Sequence, residues 1–236
     1  MKQGHEEVTN VVDFQYRSLI GSLMFIASRT RPDILFSTIL MSQYNTCFSA
    51  DHVRILLGIL KYTYDTRCYA IDLSAVQNNS LYTFSDASWA TDKDSRKSFG
   101  GFIVYFGGIP VSWNCKKQSC VALSSMEAEY LALTDAVKET HWLSSILKTE
   151  LLNSFEQRPV VYTDSQSAIY FVKNEVENNR SKHIDLKFHF IRDWINKGFF
   201  ELKNISTKVN VADIFTKWLS SQRLKLLCDA IFRREH

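Results

Sequence analysis

Along the 236 residues the spacing of apolar positions changes character once. In the first part it is helical. Tyr16, Leu19, Ile20, Leu23 and Met24 recur every three or four residues, as one face of an amphipathic helix requires. Pro32 then opens a second helix at its first turn, where its missing N–H would have no partner anyway. Ile34, Leu35, Ile39 and Leu40 continue that stripe. Asp51 is placed to cap a third helix with Ile55, Leu56, Ile59, Leu60 and Tyr64 as its inner face. The polar stretch SAVQNNS, 74–80, marks a joint. Beyond it both periods occur. Strands are predicted at 81–86, 99–106 and 109–116, the last two joined through Gly107-Gly108, a hairpin signal. A helix follows at 125–147, then a strand at 160–163 and a helix at 165–173. After a loop come a helix at 184–197 ended by Gly198, a strand at 199–205 and a final helix opening near Asn210. Three antiparallel strands followed by helix-linked ones predict an α/β fold, a mixed five-stranded sheet flanked by helices and preceded by a small helical segment. The expected organisation is a tail at 1–12, the helical segment at 13–75, the sheet domain at 80–220 and a second tail at 221–236.

Composition narrows this picture. At 45% apolar and 13% aromatic the chain can bury a core and is not a disordered tail. A net charge of +3 permits a polyanionic partner without demanding one. Five cysteines, at 47, 68, 115, 120 and 228, without a C-x-x-C pair, argue against a disulfide framework and against structural zinc. Reduced thiols are expected, in a cytosolic or nuclear compartment. The opening MKQGHEEVTN lacks the apolar stretch of a signal peptide, and no apolar run approaches the roughly 20 residues of a membrane span.

The chemistry lies in carboxylates with awkward placements. LYTFSDASWA, 81–90, reads as a buried strand that ends on Asp86 with nothing basic beside it, which is costly unless something pairs with the acid. The alternatives are a turn or cap aspartate and a metal ligand. In LSSMEAEYLALTDAV, 123–137, two glutamates compete. Ser124 and Glu127 fit a capping box, which gives Glu127 a structural task. Met126, Tyr130, Leu133 and Val137 form the apolar stripe, and Glu129 projects along its edge beside Leu133 and Ala136. Asp135 and Lys138 point away. Glu129 is therefore the carboxylate on the sheet-facing arc without a structural reason. Asp164, in VVYTDSQSAI, again closes a strand before a helix, and an N-cap is the competing reading. Asp213, in NVADIFTKWL, sits in a first helical turn, where it could simply complement the helix N-terminus. Together these four could form a cluster of oxygen ligands. Such a cluster cannot stay ionised without cations, and it suits hard divalent ions such as magnesium. Two such ions about 3.5–4 Å apart can activate a water and stabilise the leaving oxygen of a phosphodiester.

YRSLIGSLMFIASRTRPDILFS, SDASWATDKDSRKSFGGFIVYFGGIPVSWNCKKQSCVALSSMEAEYLALTDAVKE, YTDSQSAI, SKHIDLKFHFIRDWI and NVADIFTKWL follow one another along the chain. This series resembles the C-terminal part of a copia-type LTR retrotransposon Pol polyprotein, from Tyr16 to Leu219. The resemblance implies a ribonuclease H-like domain that cuts the RNA of an RNA–DNA hybrid with two Mg2+ ions, Mn2+ substituting. It implies Asp86, Glu129, Asp164 and Asp213 as the metal-binding carboxylates, and a helical segment that joins a reverse transcriptase thumb to the nuclease. The polymerase part of the same polyprotein would be a partner, and the setting would be the cytoplasm or nucleus, or a virus-like particle for a complete element. No Y-x-D-D polymerase signature occurs, and the loop ISTKVNVAD carries no histidine where retroviral relatives have one before the last aspartate. A fragment that keeps the fold without the activity is the alternative.

Contacts to a hybrid need phosphate and 2′-hydroxyl partners. Lys116 and Lys117 after Trp113, Gln166 beside Asp164, and the basic group Arg180, Lys182 and His183 are the candidates. A solvated strand end, a helix-start amide and a helix N-terminal histidine are their respective alternatives. Trp142, Phe188, Phe190 and Trp194, at helical spacing, read mainly as core.

Overall fold

The computed structural model describes residues 14–76, 78–92, 94–151, 158–173 and 190–234. The chain divides into two compact units, one running up to Ala70 and resuming at Arg233, the other Ile71–Phe232.

In the first unit the helical spacing produces α1 (Tyr16–Arg29), α2 (Leu35–Ser42) after a short turn at Pro32–Ile34, and α3 (Ala50–Asp65). A two-residue ribbon pairs Tyr69–Ala70 with Arg233–Arg234. Asp51 does not cap α3. Ser49 does, its hydroxyl taking the His52 N–H while the His52 ring accepts from the Ser49 N–H, and Asp51 instead pairs with Arg54 at 2.9 Å on the surface. The apolar face of α3 is also narrower than its spacing suggests. Leu56 and Ile59 are buried, whereas Ile55, Leu60 and Tyr64 stand exposed.

The second unit is built on β1 (Leu81–Ser88), β2 (Phe99–Phe106), β3 (Ile109–Lys117), β4 (Val160–Thr163) and β5 (Glu201–Asn204). Their order across the sheet is β3-β2-β1-β4-β5. The hairpin of β2 and β3 turns on Gly107 and Gly108, both at positive φ, and pairs antiparallel with β1. β4 pairs in parallel with β1, and β5 in parallel with β4, because helices carry the chain back between them. α4 (Ser125–Ile146) lies across β1 and β2. Its core-facing residues Tyr130, Leu133, Ala136 and Val137 join Leu81, Phe102, Val104 and Val161 in the main apolar core. Thr140 on α4 and Thr83 on β1 share a buried hydrogen bond of 2.6 Å. α5 (Gln166–Lys173) and a helix over 190–196, α6, add Phe171, Val172 and Ile191 to the same core. Elsewhere in the sheet the aromatics of β1, β2 and β4 stack: Tyr82 on Tyr105 at 5.1 Å and Phe84 on Tyr162 at 5.3 Å.

Four expectations change here. β1 does not stop at Asp86 but continues to Ser88, since the ladder with β2 runs on through Asp86 opposite Gly101 and Ala87 opposite Gly100. The helix expected from Asn210 is only a tight turn, Val211–Phe215, capped by Asn210, whose side-chain oxygen takes the Ala212 N–H. Residues past 221, expected to trail as a tail, form α7 (Ser221–Asp229), capped by Ser220 and burying Leu227 and Cys228. Trp142 is 56% exposed and not core, while Phe190 and Trp194 pack against the core as expected. Phe188 and the start of the helix expected at 184 lie outside the described residues.

Two adjacent glycines on β2 set how closely other elements approach the middle of the sheet. A Cβ on Gly100 would lie 3.1 Å from the Ala132 Cβ of α4, and one on Gly101 would clash with the Cβ of Phe215. The missing side chains let α4 and the Val211–Phe215 turn close in beside Asp86.

Candidate metal centre

Each acid reaches the site by a local device. The β1/β4 register sets Ser85 opposite Thr163, so Asp86 and Asp164 are the next residues along two parallel neighbours. The capping role that Asp164 might have filled falls to Ser165, whose hydroxyl takes the Ala168 N–H at 3.2 Å. Asp164 is left to accept from the Thr207 hydroxyl at 2.7 Å. On α4 the two glutamates separate as their helical positions require. Glu127 turns back to the helix start, its carboxylate accepting the Leu123 N–H at 2.8 Å and its N–H donating to Ser124. Glu129 lies three residues before Ala132, the contact with Gly100, and turns toward the sheet, where the Ala87 N–H donates to it.

Asp86, Glu129 and Asp164 bring one carboxylate oxygen each within 4.8 Å of one another, and they are the one such acidic or metal-ligating group among the described residues. Asp213 is held next to them but differently. Asn210 donates to the Ser85 carbonyl at 3.0 Å and pins the turn to β1. The carboxylate of Asp213 then pairs with Lys217 at 2.7 Å and Arg223 at 2.8 Å. Arg223 is itself anchored on the carbonyls of Thr207, at 2.6 Å, and Lys208. Asp86 accepts from the Thr216 hydroxyl and lies 3.9 Å from the Lys217 ammonium.

The electrostatics separate the two halves of the site. Burial pushes Asp86 up to about 6, with Lys217 and Thr216 opposing and Asp213 and Asp164 adding to the rise. Burial, together with Asp86 and Asp164, pushes Glu129 up to about 9, against the Ala87 N–H and Lys217. Burial alone would lower the pKa of Lys217, but Asp86, Asp213 and Asp164 outweigh it and hold the ammonium above the ordinary lysine range. One oxygen of Glu129, Oε2, is buried without a hydrogen-bond partner. An orphaned buried carboxylate oxygen facing two further carboxylates is the donor set a hard divalent ion takes, so the residues fit magnesium or manganese.

The other candidates are scattered. Lys116 pairs with Asp135 at 2.7 Å, and Lys117 pairs with Asp92, whose carboxyl it holds down at about 2. Gln166 is exposed at the first residue of α5. Arg180, Lys182 and His183 lie outside the described residues. The reading of the residues missed Thr207, Thr216, Lys217 and Arg223. Thr216 and Lys217 follow Asp213 closely enough that the local run DIFTK carried a signal. Thr207 and Arg223 meet the acids only through the fold.

The mixed five-stranded sheet flanked by helices is the fold of a ribonuclease H-like domain. Retrovirus-related Pol polyprotein from transposon RE1 of Arabidopsis thaliana is 40% identical over 206 residues, 87% of this chain and 14% of that protein. The Pol polyprotein from transposon TNT 1-94 of Nicotiana tabacum is 37% identical over 225 residues, 94% of this chain and 16% of its own. The chain is homologous to a part of copia-type retrovirus-related Pol polyproteins, and it spans about a seventh of the length of these relatives. Among solved structures, a foamy viral protease-reverse transcriptase in complex with dsDNA overlaps at a TM-score of 0.52 and 14% identity, over 81% of this chain and 38% of that one. No protein-family model matches the chain.

Proposed function

We propose that this chain cleaves the RNA strand of RNA–DNA hybrids endonucleolytically, with magnesium, as the ribonuclease H part of a retroelement Pol polyprotein. One observation carries the reading. Three carboxylates from β1, α4 and the end of β4 share a pocket with an unpartnered oxygen on Glu129. Asp86, Glu129 and Asp164 would hold the ion, with Asp213 as the fourth carboxylate that the family resemblance implies. The ion, when bound, supplies Lewis acidity toward the phosphate and lowers the pKa of a bound water. The chain's own residues do the positioning. Thr207 orients Asp164, Thr216 orients Asp86 and the Ala87 N–H fixes Glu129. Such supporting contacts are worth about 10–100-fold in metal affinity or activity.

Hybrid contacts fall to Lys116, Lys117 and Gln166, and to the basic group Arg180, Lys182 and His183. The relatives are polyproteins, which makes the polymerase part of the same polyprotein the natural partner, with the helical unit as its link to the nuclease. The cytoplasm, the nucleus or a virus-like particle is the setting this assigns. The test is a labelled RNA–DNA hybrid incubated with purified chain, with and without Mg2+. Ion-dependent cuts confined to the RNA strand are expected. Tight hybrid binding without cleavage at any Mg2+ or Mn2+ concentration would replace this reading with that of an inactive fragment.

A further inference from the structure

The acidic site is compensated unevenly, and the imbalance bears on how many cations it admits. Both oxygens of Asp213 already face cations: Oδ1 the Lys217 ammonium at 2.7 Å, Oδ2 the Arg223 guanidinium at 2.8 Å. Arg223 is held in place, because its guanidinium also donates to the carbonyls of Thr207 and Lys208. Lys217 is not fixed in this way. Its side chain is 39% exposed, so it has room to withdraw toward solvent. It also lies 3.9 Å from Asp86 Oδ2, the oxygen that accepts from the Thr216 hydroxyl. Oε2 of Glu129 and Oδ1 of Asp213 both lack a hydrogen-bond partner, but only the Asp213 oxygen has an ammonium beside it; Glu129 and Asp164 have no salt bridge among the described residues.

The geometry points to Lys217 as a built-in counter-ion that stands in for a second divalent cation between Asp86 and Asp213. The chain would then take one ion between Asp86, Glu129 and Asp164, and a second only where the ammonium has moved away. This rests on the metal-centre reading proposed above. The physical ground is exclusion. A divalent ion needs carboxylate oxygens free of competing positive charge, and like charges at such short range repel strongly in a buried pocket. Lys217 is on this account a positioning residue. It acts on the reaction through the ion count and not by touching substrate.

The experiment counts ions and does not depend on cleavage. Mn2+ is titrated into the purified chain and followed by electron paramagnetic resonance of the free ion. Wild type is compared with Lys217→Met, which keeps the length and removes the charge, and with Lys217→Arg, which keeps the charge. Lys217→Gln runs in parallel, so that loss of the circular dichroism signal in one neutral variant leaves the count to the other. One ion per chain is expected for wild type and Lys217→Arg, and two for the neutral variants. Two ions of similar affinity in wild type, or one in the neutral variants, would overturn the counter-ion role while leaving the metal centre intact. No ion bound by any of the four overturns the metal centre, and the counter-ion role with it.

Discussion

Asp33 in the helical unit is buried and Glu129 in the sheet unit is half-buried with its Oε2 shut off from water, and the chain treats them in opposite ways. Asp33 is gripped by two bonds from Arg31, 2.9 Å to one oxygen and 2.7 Å to the other. Arg31 spends its other donors on the carbonyls of Thr63 and Thr66 and on the Thr66 hydroxyl, between the rings of Tyr62 and Tyr69. Every charge there has a partner inside the fold. Glu129 receives a single backbone N–H, keeps one oxygen unpartnered and faces two more acids. A carboxylate that the fold satisfies is part of the scaffold. One that the fold buries and leaves wanting is completed from outside.

That contrast is broken most sharply at its two ends. Asp86→Asn should lower ion-dependent hybrid cleavage by about 10³-fold or more, about 4 kcal/mol of transition-state stabilisation, with the circular dichroism spectrum unchanged. Cleavage at the wild-type rate would remove Asp86 from the chemistry. Asp33→Ala should do the reverse. It leaves Arg31 buried without its partner, at a cost of about 3–5 kcal/mol in the unfolding of the helical unit. A chain whose stability does not respond would show that the pair carries no such weight.

The pH response sharpens the comparison further. The folded pKa values of Asp86, about 6, and Glu129, about 9, lie above their ordinary values of 3.8 and 4.5. Folding therefore favours the protonated acids. Stability without divalent ions is highest below about pH 4 as far as these two groups are concerned, and it falls as pH rises through 6 toward 9. A loss on the order of a few kcal/mol is expected across that window. Glu129→Gln should flatten most of it, and saturating Mg2+ should offset it at pH 8. Thermal melts from pH 5 to 9 without ions check this, and a melting temperature that rises with pH would contradict it.

Smaller effects follow from the approach of the Val211–Phe215 turn. Gly101→Ala places a Cβ against Phe215 and should cost about 1–3 kcal/mol by overpacking. It should also weaken Mn2+ binding, because the turn carries Asp213. A variant as stable and as tightly binding as wild type would show that the turn yields freely. Lys116→Ala is the mildest. Its pair with Asp135 is half exposed, so stability should change by under about 1 kcal/mol. Hybrid affinity should fall and its salt dependence weaken by about one unit of slope, read from binding isotherms at several salt concentrations. An unchanged slope would remove Lys116 from the interface.

Much of the sheet unit was legible from spacing alone. The strands at 99–106 and 160–163 fall where the apolar runs put them, and the glycine pair makes the hairpin. The choice of Glu129 over Glu127 was legible too, since a helix of fixed pitch lets only one of them meet the sheet while the other serves the cap. Local rules failed where two residues competed for one task. Ser49 outranked Asp51 as a cap, and Ser165 relieved Asp164 of that duty. They failed also at the C-terminal end, where α7 forms because Leu227 and Cys228 find cover. The basic group at 180–183 lies outside the described residues.

Periodicity and capping are short-range effects, so the positions of strands and helices, and the acids with no local reason for their place, can be read along the chain. Which of those acids share a pocket, and which is neutralised from within, depends on how distant segments pack. Asp86 and Asp164 are 78 residues apart in the chain, yet they are neighbours through a parallel register that no local pattern encodes. Lys217 and Arg223 close on Asp213 because the Asn210 turn and α7 fold back onto it. The difference between a satisfied carboxylate and an unsatisfied one is a sum over every charge within a few ångströms, and only the folded chain brings those charges together.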